Sequence, residues 1–277
     1  MGKFNGQVAL ITGAARGQGR SHARALASEG ADVVLVDSVK DNATTKYPMA
    51  TPDDLAETER LVIAEGRRCR SYEADVRNLV ELQRIADETV AQWGRIDVLI
   101  ANAGILTFGT IEGMAAGVWD ETIAINLTGT FNTMKAVIPH MTKAGYGRII
   151  AASSASSRMG VQNIGAYAAS KWGILGLVKT AALETVDNGI TVNAVTPAMV
   201  DTPMTMNDEM RSMFLPGVEN PTGEQVREAY TIAPMKVPWI DADDVSRVVL
   251  FLASPESRYI TGETMGPMLG MAAQNSA

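Results

Sequence analysis

The stretch VALITGAARGQG (8–19) decides the fold of this chain, because it joins a β-branched segment directly to a glycine-rich turn. Gly13, Gly17 and Gly19 lie in that turn, and a helical pattern follows over 18–29. Glycine permits a tight turn, lets a phosphate reach the main chain and brings the helix close to the strand. The helix N-terminus then offers unpaired N–H groups and a positive dipole end to a pyrophosphate. The stretch therefore predicts a dinucleotide site, although a glycine-rich turn by itself also occurs without one.

The carboxylate of Asp37 ends the next β-branched segment of the chain. At this position it would accept hydrogen bonds from the adenosine ribose hydroxyls and repel a 2′-phosphate, which favours NAD over NADP. Arg16 in the glycine turn argues in the opposite direction, because its cation would pair with such a phosphate. We give Asp37 more weight, since it would lie directly against the ribose. Asp75 and Val76, which close a further expected strand, are placed to meet the adenine, although aspartate is also a common turn residue.

Short β-branched segments alternate with longer amphipathic ones along the chain, which is the pattern of a parallel sheet wrapped by helices. No repeat, low-complexity tract or linker interrupts this pattern, so we expect one domain over 1–277. The expected strands are 8–12, 32–37, 96–102, 147–153 and 190–195, and the expected helices are 18–29, 53–65, 78–93, 117–141, 164–187 and 242–254.

Two segments do not fit this alternation. The first, 38–51, is polar and long for a strand-to-helix connection. The second, 198–238, is rich in proline and methionine and has weak helical periodicity around 203–214 and 222–232. Long connections in compact α/β domains are usually functional covers or disordered loops, so both are candidates for closing over a ligand. The methionines suit a flexible lid over a hydrophobic substrate, but an ordinary amphipathic helix packed on the core explains them equally well.

A candidate proton-transfer pair lies in the helix expected over 164–187. Tyr167 and Lys171 are four residues apart and therefore share one face of that helix. A nearby ammonium favours the phenolate, which moves the phenol pKa from about 10 toward working pH. Tyr167 would then act as general base in alcohol oxidation and as general acid in ketone reduction. For the pair taken alone, a surface contact between neighbouring helical turns is the ordinary alternative.

Polar residues around this pair favour the catalytic interpretation. Ser153 and Ser154 end the preceding strand, on the carboxyl edge where open α/β sheets bind ligands. A serine hydroxyl there would hydrogen-bond the substrate oxygen beside Tyr167. Asn126 lies in an apolar helical stretch and needs partners when it is buried. It would either kink the helix and hold a water that connects Lys171 to solvent, or be a satisfied structural amide.

These motifs occur in the order and spacing of the short-chain dehydrogenase/reductase family, which the chain resembles over nearly its whole length. The resemblance implies a Rossmann-like, doubly wound parallel sheet of about seven strands with helices on both faces. It also implies that Ser154 orients the substrate, that Tyr167 transfers the proton, and that Lys171 lowers the tyrosine pKa and holds the nicotinamide ribose. The motifs are TGAARGQG (12–19), ANAG (101–104), PAMVDTPM (197–204) and a catalytic tetrad of Asn126, Ser154, Tyr167 and Lys171.

The resemblance extends the expected cofactor site beyond the glycine turn. Val200 and Thr202 would meet the nicotinamide carboxamide. Ala101 stands where the family usually has asparagine, and Ala198 stands where it usually has glycine, which puts the loop geometry after Pro197 in question. The full expected cofactor set is Gly13, Arg16, Gly17, Gln18, Gly19, Asp37, Ser38, Asp75, Val76, Asn102, Ala103, Gly104, Tyr167, Lys171, Pro197, Val200 and Thr202.

Further stretches resemble the carveol-dehydrogenase-like subgroup of this family, which is associated with the redox peptide cofactor mycofactocin. The subgroup's insertion, which corresponds to 38–51 here, is thought to lie across the NAD, so that the nicotinamide is held and recycled in place by an external acceptor. Tetramers are usual for the family. The ending GPMLGMAAQNSA (266–277) departs from the subgroup pattern. The stretches that agree are TGAARGQGRSHA (12–23), YPMATPDDLAET (47–58), FLPGVENPT (214–222) and VPWIDADDVSRVVLFLASPESRYITG (237–262).

The composition argues against several other classes of protein. A net charge of −7 disfavours nucleic acid or an anionic membrane as the main partner. Apolar runs are too short to span a bilayer, and no secretion signal is apparent. The single cysteine, Cys69, suits a reducing cytosol, so we expect a cytoplasmic protein. His22 and His140 have no cysteine or carboxylate at ligand spacing, so no metal site is expected.

The sequence thus predicts an NAD(H)-dependent oxidoreductase that interconverts a secondary alcohol and its ketone. We expect the alcohol to be hydrophobic, cyclic and terpenoid-like, the NAD to be tightly held, and the enzyme to be a homo-oligomer with a redox partner related to mycofactocin. One alternative is an NADP(H)-dependent ketoreductase, which only Arg16 supports. Another is a cofactor-sensing Rossmann-fold protein, against which the intact Ser154, Tyr167 and Lys171 weigh.

Overall fold

The β-branched segments pair into one sheet in which every pair of neighbouring strands is parallel. The computed structural model describes residues 2–274, so Met1 and the last three residues of the atypical C-terminal segment lie outside the described part. The strands are β1 (Val8–Thr12), β2 (Asp32–Asp37), β3 (Cys69–Glu73), β4 (Val98–Ala101), β5 (Gly147–Ala152), β6 (Ile190–Val195) and β7 (Thr264–Met265), in the order β3-β2-β1-β4-β5-β6-β7. The expected Rossmann-like, doubly wound sheet is confirmed.

Helices connect the strands and cover both faces of the sheet. Side chains cap two of them at their N-termini: the Thr51 hydroxyl accepts from the Asp54 N–H at 3.2 Å, and the Asn78 side chain accepts from the Glu81 N–H at 3.2 Å. The helices are α1 (Gly17–Ser28), α2 (Pro52–Ala64), α3 (Leu79–Trp93), α4 (Ala116–Ile123), α5 (Gly129–Ala144), α6 (Gly165–Thr185), α7 (Asp208–Phe214), α8 (Gly223–Tyr230) and α9 (Ala242–Ala253).

Alternate side chains of the central strands pack into two apolar layers, one on each face of the sheet. Ala9 and Ile11 of β1 belong to the layer formed with α1, α2 and α9. Val8 and Leu10 of the same strand belong to the layer formed with α3, α5 and α6. All five residues of β1 are buried, which explains why its sequence is an almost continuous apolar run.

The observed elements differ from the expected ones where local sequence signals are weak. β3 is a partly exposed edge strand, and β7 has only two residues, so neither carries a strong apolar pattern. The helix expected over 117–141 is α4 and α5 joined by a π-helical segment, Ala124–Thr128, with Asn126 at its centre. The first lid helix begins at Asp208 rather than near 203, because the Asn207 side chain caps it.

The strand order places a crevice at the carboxyl ends of β1 and β4. The chain leaves β1 for β2 on one side of the sheet and continues from β4 to β5 on the other, which is the switch point where such sheets bind ligands. The connection 38–51 has no regular secondary structure, and the segment 198–238 contains α7 and α8. None of the helices described is long and apolar enough to cross a membrane.

A buried histidine makes the fold sensitive to acid. His22 of α1 is completely buried, and its Nδ1 lies 2.8 Å from the Ser246 Oγ of α9. Burial lowers the pKa of His22 to about 4, although the Asp243 carboxylate acts in the opposite direction. Between about pH 6.5 and pH 4 the unfolded chain therefore binds a proton that the folded chain does not, so stability is lost as the pH falls.

We expect this residue to lower the free energy of unfolding by up to roughly 3 kcal/mol between pH 7 and pH 4. His22→Gln removes the titrating group, so the free energy of unfolding of this variant should fall less between pH 7 and pH 4 than that of the wild type. Urea unfolding of both proteins at the two pH values measures the effect. An equal loss in wild type and variant contradicts the assignment.

Candidate active site

A cleft of about 280 Å³ opens at the carboxyl ends of the central strands. Most of the expected cofactor residues line it, whereas Gly19, Pro197 and Val200 do not. Residues of the connection 38–51 form a further part of its wall: Ser38, Lys40, Asp41, Asn42, Ala43, Tyr47, Met49 and Ala50.

The three glycines of the turn have different structural roles. Gly13 has a φ of +64°, and a Cβ there would lie 2.7 Å from the Ala103 Cα. Gly17 also has a positive φ, +53°, and lines the cleft. A Cβ on Gly19 would lie 2.0 Å from the Gly13 carbonyl oxygen, so this glycine allows α1 to pack on the turn. Gly19 therefore acts through packing rather than as part of the cleft wall.

Hydrogen bonds hold the ends of β1 and β4 together beneath the cleft. The Asn102 side-chain amide donates to the carbonyl oxygens of Thr12 at 3.1 Å and Gly13 at 3.0 Å. The Ala103 N–H donates to the Thr12 hydroxyl at 3.3 Å. Asn102 thus fixes the glycine turn against β4 and leaves Ala103 and Gly104 as the floor of the cleft.

Asp37 links the glycine turn to the start of the insertion. Its carboxylate accepts from the Ala15 N–H at 3.0 Å and from the Val39 N–H at 3.2 Å. Burial raises the pKa of this carboxyl above its usual value, although the hydrogen bonds and the Arg16 cation act against the rise. Val39 has a φ of +44°, a strained value for a β-branched residue, where the chain turns into the insertion. Two carboxylate oxygens have about four acceptor sites, so Asp37 retains capacity for ribose hydroxyls.

The two other charged residues expected near the cofactor have partners within the chain. Arg16 donates from Nη2 to the Pro48 carbonyl oxygen, so its guanidinium fastens the insertion to the glycine turn. Asp75 accepts from the Arg77 N–H at 2.9 Å and pairs with the Arg77 guanidinium at 2.6 Å. Asp75 is therefore a turn residue that also lines the cleft.

Tyr167 and Lys171 lie together on α6, and both line the cleft. The Lys171 Nζ is 5.5 Å from the centroid of the Tyr167 ring and donates to the Ala152 carbonyl oxygen at 2.8 Å. Burial lowers the pKa of Lys171 to about 8. Burial also raises the pKa of Tyr167, while its hydrogen bond with Ser154 acts in the opposite direction. Burial therefore has the largest effect on the pKa of this phenol.

Ser154 and Ser153 make different hydrogen bonds at the end of β5. The Ser154 Oγ accepts from the Ser156 N–H at 3.2 Å and the Ser156 hydroxyl at 3.0 Å, in addition to its bond with Tyr167. The Ser153 hydroxyl is buried and donates to the Lys171 carbonyl oxygen at 2.9 Å. Ser154 therefore lies beside the phenol, and Ser153 attaches α6 to the end of β5.

Asn126 is a fully satisfied amide within the π-helical segment. Its Oδ1 accepts from the Ile105 N–H at 2.8 Å, and its Nδ2 donates to the Ile105 carbonyl at 2.9 Å and to the Ser170 Oγ at 3.1 Å. A Cβ built on Gly104 would lie 3.2 Å from the Asn126 Oδ1 and 3.4 Å from the Lys171 Nζ. Asn126 and Lys171 thus meet across Gly104, and the Asn126 side chain is committed to protein partners.

The loop after β6 contributes one of its three expected residues to the cleft wall. Thr202 lines the cleft, and its Cγ2 would be 3.2 Å from a Cβ on Gly17. Val200 is buried beneath it, and the Pro197 carbonyl accepts from the Ala155 N–H at 3.0 Å. The Ala198 N–H donates to the Pro267 carbonyl at 3.1 Å, and its φ is not positive, so alanine fits this loop without strain.

The sequence did not identify Tyr47, which is only 5% exposed and accepts a hydrogen bond from the Leu106 N–H at 3.0 Å. A single aromatic side chain in a polar connection was the available signal. Tyr47 belongs to an apolar cluster, here called the lid cluster, which also contains Tyr167 and reaches α7 and α8. Its buried members are Tyr47, Leu106, Ile164, Met210, Val226 and Tyr230, and its partly buried members include Met199, Met204, Met206, Met213, Phe214 and Trp239.

Five of the six methionines of the segment 198–238 therefore pack in one cluster with Tyr167, apart from the two layers on the sheet, and the sixth, Met235, is exposed. This position supports the interpretation of the segment as a lid. Within residues 2–274 the structure brings together no group of three or more His, Cys, Asp and Glu side chains that could hold a metal ion.

The sheet order, the glycine turn and the grouping of Ser154, Tyr167 and Lys171 at the carboxyl edge define a Rossmann-type oxidoreductase. Residues 7–212 match the short chain dehydrogenase family, and the chain belongs to this family. It is 43% identical to a (−)-trans-carveol dehydrogenase of Rhodococcus erythropolis over 265 residues, which cover 95% of this chain and 96% of that protein. It is 38% identical to a trans-4-hydroxycyclohexanecarboxylate dehydrogenase of Sinomonas cyclohexanicum, covering 98% and 94% of the two chains.

The solved structures include a carveol dehydrogenase from Mycobacterium avium in complex with NAD. It matches with a TM-score of 0.95 and 42% identity, covering 97% of this chain and 99% of that one. The similarity to these two carveol dehydrogenases confirms the resemblance to the carveol-dehydrogenase-like subgroup.

The close approach at Gly104 gives a test of the site geometry. In Gly104→Ala the new Cβ pushes the Asn126 amide and the Lys171 ammonium apart by a few tenths of an ångström. We expect the oxidoreductase activity to fall about 3- to 10-fold, because small misplacements near reacting groups are costly. Gly117→Ala is the matched control, since a Cβ at this α4 position meets nothing within 4 Å. Equal activity of the two variants in steady-state kinetics contradicts the account.

Proposed function

We propose that the chain is an NAD-dependent dehydrogenase that interconverts a secondary alcohol and its ketone. The observation that carries the proposal is one cleft lined by Asp37, Tyr167 and the buried Lys171, with Ser154 hydrogen-bonded to the Tyr167 phenol. Turnover is favoured over a cofactor-sensing role, because a sensor has no need of a phenol, a serine hydroxyl and an ammonium held in one place.

The cofactor assignment rests on the end of the cleft formed by β1 and β2. Asp37 keeps acceptor capacity for ribose hydroxyls and would repel a 2′-phosphate, which favours NAD. Arg16, the only support for NADP, is engaged with the Pro48 carbonyl. The NAD complex of the carveol dehydrogenase relative agrees with this assignment. The residues proposed to hold NAD are those of the expected set that line the cleft, together with Pro197, Val200 and Gly19 as their support.

The residues of the cleft would hold NAD, and the bound NAD would supply the acceptor for the hydride of the alcohol carbon. The Tyr167 oxygen takes the proton from the alcohol hydroxyl in oxidation and returns it in ketone reduction. The Ser154 hydroxyl orients the substrate oxygen beside the phenol. The Lys171 ammonium offsets negative charge that develops on the Tyr167 oxygen and would hydrogen-bond the ribose of the cofactor. Asn126 supports Lys171 across Gly104.

The substrate is proposed to be a hydrophobic cyclic alcohol, because the lid cluster surrounds Tyr167 with apolar side chains. Methionine thioethers adapt to irregular apolar shapes, which suits a ring with alkyl substituents. The names of two relatives, a carveol dehydrogenase and a hydroxycyclohexanecarboxylate dehydrogenase, agree with a cyclic secondary alcohol.

Tyr167→Phe removes the group that exchanges the proton and keeps the ring. We expect turnover of cyclic secondary alcohols to fall by at least about 100-fold, while NAD stays bound. Tyr146→Phe is the matched control, because this half-buried tyrosine hydroxyl belongs to the opposite edge of the sheet. Steady-state oxidation rates and bound dinucleotide are measured on the same preparations. Wild-type turnover in Tyr167→Phe would falsify the mechanism.

We further propose that the insertion 38–51 retains the NAD. Eight of its residues line the cleft, and its middle is fastened to the glycine turn by Arg16 and to the loop after β4 by Tyr47. A dinucleotide in the cleft would therefore leave only after these contacts open. The electrons would then pass to an external acceptor, and the subgroup resemblance points to a redox partner related to mycofactocin.

We expect the purified protein to keep about one dinucleotide per chain through desalting, as measured by mass spectrometry of the denatured protein. Replacing residues 40–49 with a short Gly-Ser linker releases it, with folding checked by circular dichroism. In Arg16→Gln the dissociation rate of NAD rises about tenfold, because the bond to Pro48 is lost.

Arg60→Gln is the control, since this exposed arginine of α2 pairs with Glu57 outside the cleft. A wild-type protein that is emptied by one buffer exchange contradicts retention. Equal NAD dissociation rates in Arg16→Gln and Arg60→Gln contradict the role of the Arg16 bond.

A homo-oligomer, with the tetramer usual for the family, remains a prediction. Trp119, Phe131 and Trp172 are 42%, 44% and 52% exposed on α4, α5 and α6, and exposed aromatic side chains on neighbouring helices favour a subunit contact. The cytoplasmic location also remains a prediction.

A further inference from the structure

Tyr47 is the member of the insertion most deeply involved with the reaction end of the cleft. The connection 38–51 is largely polar, yet the Tyr47 side chain is buried and lines the cleft. Its ring packs in the lid cluster with Leu106, Met210 and Tyr167. A residue that only covered the cofactor would not need to reach the side chain proposed to transfer the proton.

The Tyr47 hydroxyl is attached to the main chain that holds Asn126. It accepts from the Leu106 N–H at 3.0 Å. The adjacent Ile105 exchanges two hydrogen bonds with the Asn126 side chain, at 2.8 and 2.9 Å. Loss of the phenol oxygen would leave the Leu106 N–H buried and unpaired, which favours movement of residues 105 and 106.

The hydrogen bonds continue from Asn126 to the catalytic helix. The Asn126 Nδ2 donates to the Ser170 Oγ at 3.1 Å, and the Ser170 hydroxyl donates to the Tyr167 carbonyl oxygen at 2.7 Å. A continuous set of contacts therefore connects the phenol of Tyr47 to the main chain of Tyr167. Tyr47 and Tyr167 also belong to the same lid cluster.

The neighbours of Tyr47 hold it in this position. Arg16 donates to the Pro48 carbonyl, and the Lys46 ammonium lies 3.1 Å from the Glu209 carboxylate on α7. Three consecutive residues, 46–48, thus contact three different parts of the site: the lid, the loop after β4 and the glycine turn. The Lys46–Glu209 pair is exposed and contributes little by itself, so the buried tyrosine is the main attachment.

We propose that Tyr47 is a positioning residue for the reaction: its hydroxyl fixes the main chain at 105–106 and its ring forms the wall beside Tyr167. This inference rests on the proposed function and deepens it, because it makes the insertion part of the reaction site rather than a cover alone. Burial keeps Tyr47 a neutral phenol by raising its pKa to about 12, so the contact persists across the working range of pH.

The inference separates positioning from cofactor retention. If the insertion only retained NAD, saturating NAD would restore full turnover to any Tyr47 variant. If Tyr47 positions the reacting groups, saturating NAD restores binding but not the rate. The test is therefore made at saturating NAD and with a saturating artificial electron acceptor, on a cyclic secondary alcohol that the wild-type enzyme oxidises.

Tyr47→Phe keeps the ring and removes the acceptor for Leu106. We expect kcat to fall about tenfold, equivalent to roughly 1.4 kcal/mol, with the alcohol KM changed less than about twofold. Tyr47→Ala also removes the wall, so the alcohol KM rises as well. Tyr72→Phe is the matched control, because it removes a hydroxyl that donates to Glu88 outside the cleft.

Amide hydrogen exchange gives a second readout that does not depend on activity. We expect the Leu106 amide to be protected in the wild type and to exchange faster in Tyr47→Phe, with no change in Tyr72→Phe. A kcat for Tyr47→Phe within about twofold of wild type at saturating NAD overturns the inference, as does a Leu106 amide that is unprotected in the wild type. Failure of the proposed function would instead appear in the wild-type enzyme, as an absence of alcohol oxidation.

Discussion

The burial of one cation, the Lys171 ammonium, is the constraint around which this site is arranged. A charge taken out of water is costly unless polar groups surround it, and burial accordingly lowers the pKa of Lys171 to about 8. The Ala152 carbonyl oxygen accepts a hydrogen bond from this ammonium at 2.8 Å, which offsets part of the cost, and Gly104 leaves room for the ammonium beside Asn126. The same low-dielectric surroundings raise the pKa of the Tyr167 phenol. Because electrostatic interactions are strong in such surroundings, a charged or hydrogen-bonding ligand would change the pKa of both groups.

The enclosure of this pair comes from two segments that interrupt the regular α/β alternation. Eight residues of the insertion 38–51 line the cleft, and Thr202, Pro203 and Met204 of the segment 198–238 also line it. They meet at Tyr47, which belongs to the cleft wall and to the lid cluster at once. Cofactor retention and substrate recognition are therefore expected to depend on the same few contacts.

Sequence reasoning succeeded where local chemistry decides the structure. Neighbouring residues alone determine backbone geometry and periodicity. These two signals predict the glycine turn, the strand that ends at Asp37, and the shared helix face of Tyr167 and Lys171. It failed where distant parts of the chain decide. Contacts between residues far apart in sequence decide three features of the site. They bring Pro48 to Arg16, bury Tyr47 and supply the hydrogen-bond partners of Asn126. The short strand β7 and the edge strand β3 are set by pairing with β6 and β2, which their own composition does not reveal.

We propose that the alcohol would lose its hydride to a cofactor held beneath the insertion and its proton to Tyr167. The most direct test is a single-turnover experiment in which the desalted protein is mixed with a cyclic secondary alcohol, without added cofactor. The near-ultraviolet absorbance of reduced nicotinamide is recorded. The account predicts a rise equivalent to about one reduced nicotinamide per chain, which is absent in Tyr167→Phe. An artificial electron acceptor then reoxidises the nicotinamide, so this absorbance falls and alcohol turnover resumes. A wild-type protein that stays silent until NAD is added, or a Tyr167→Phe variant that responds at the wild-type rate, would contradict it.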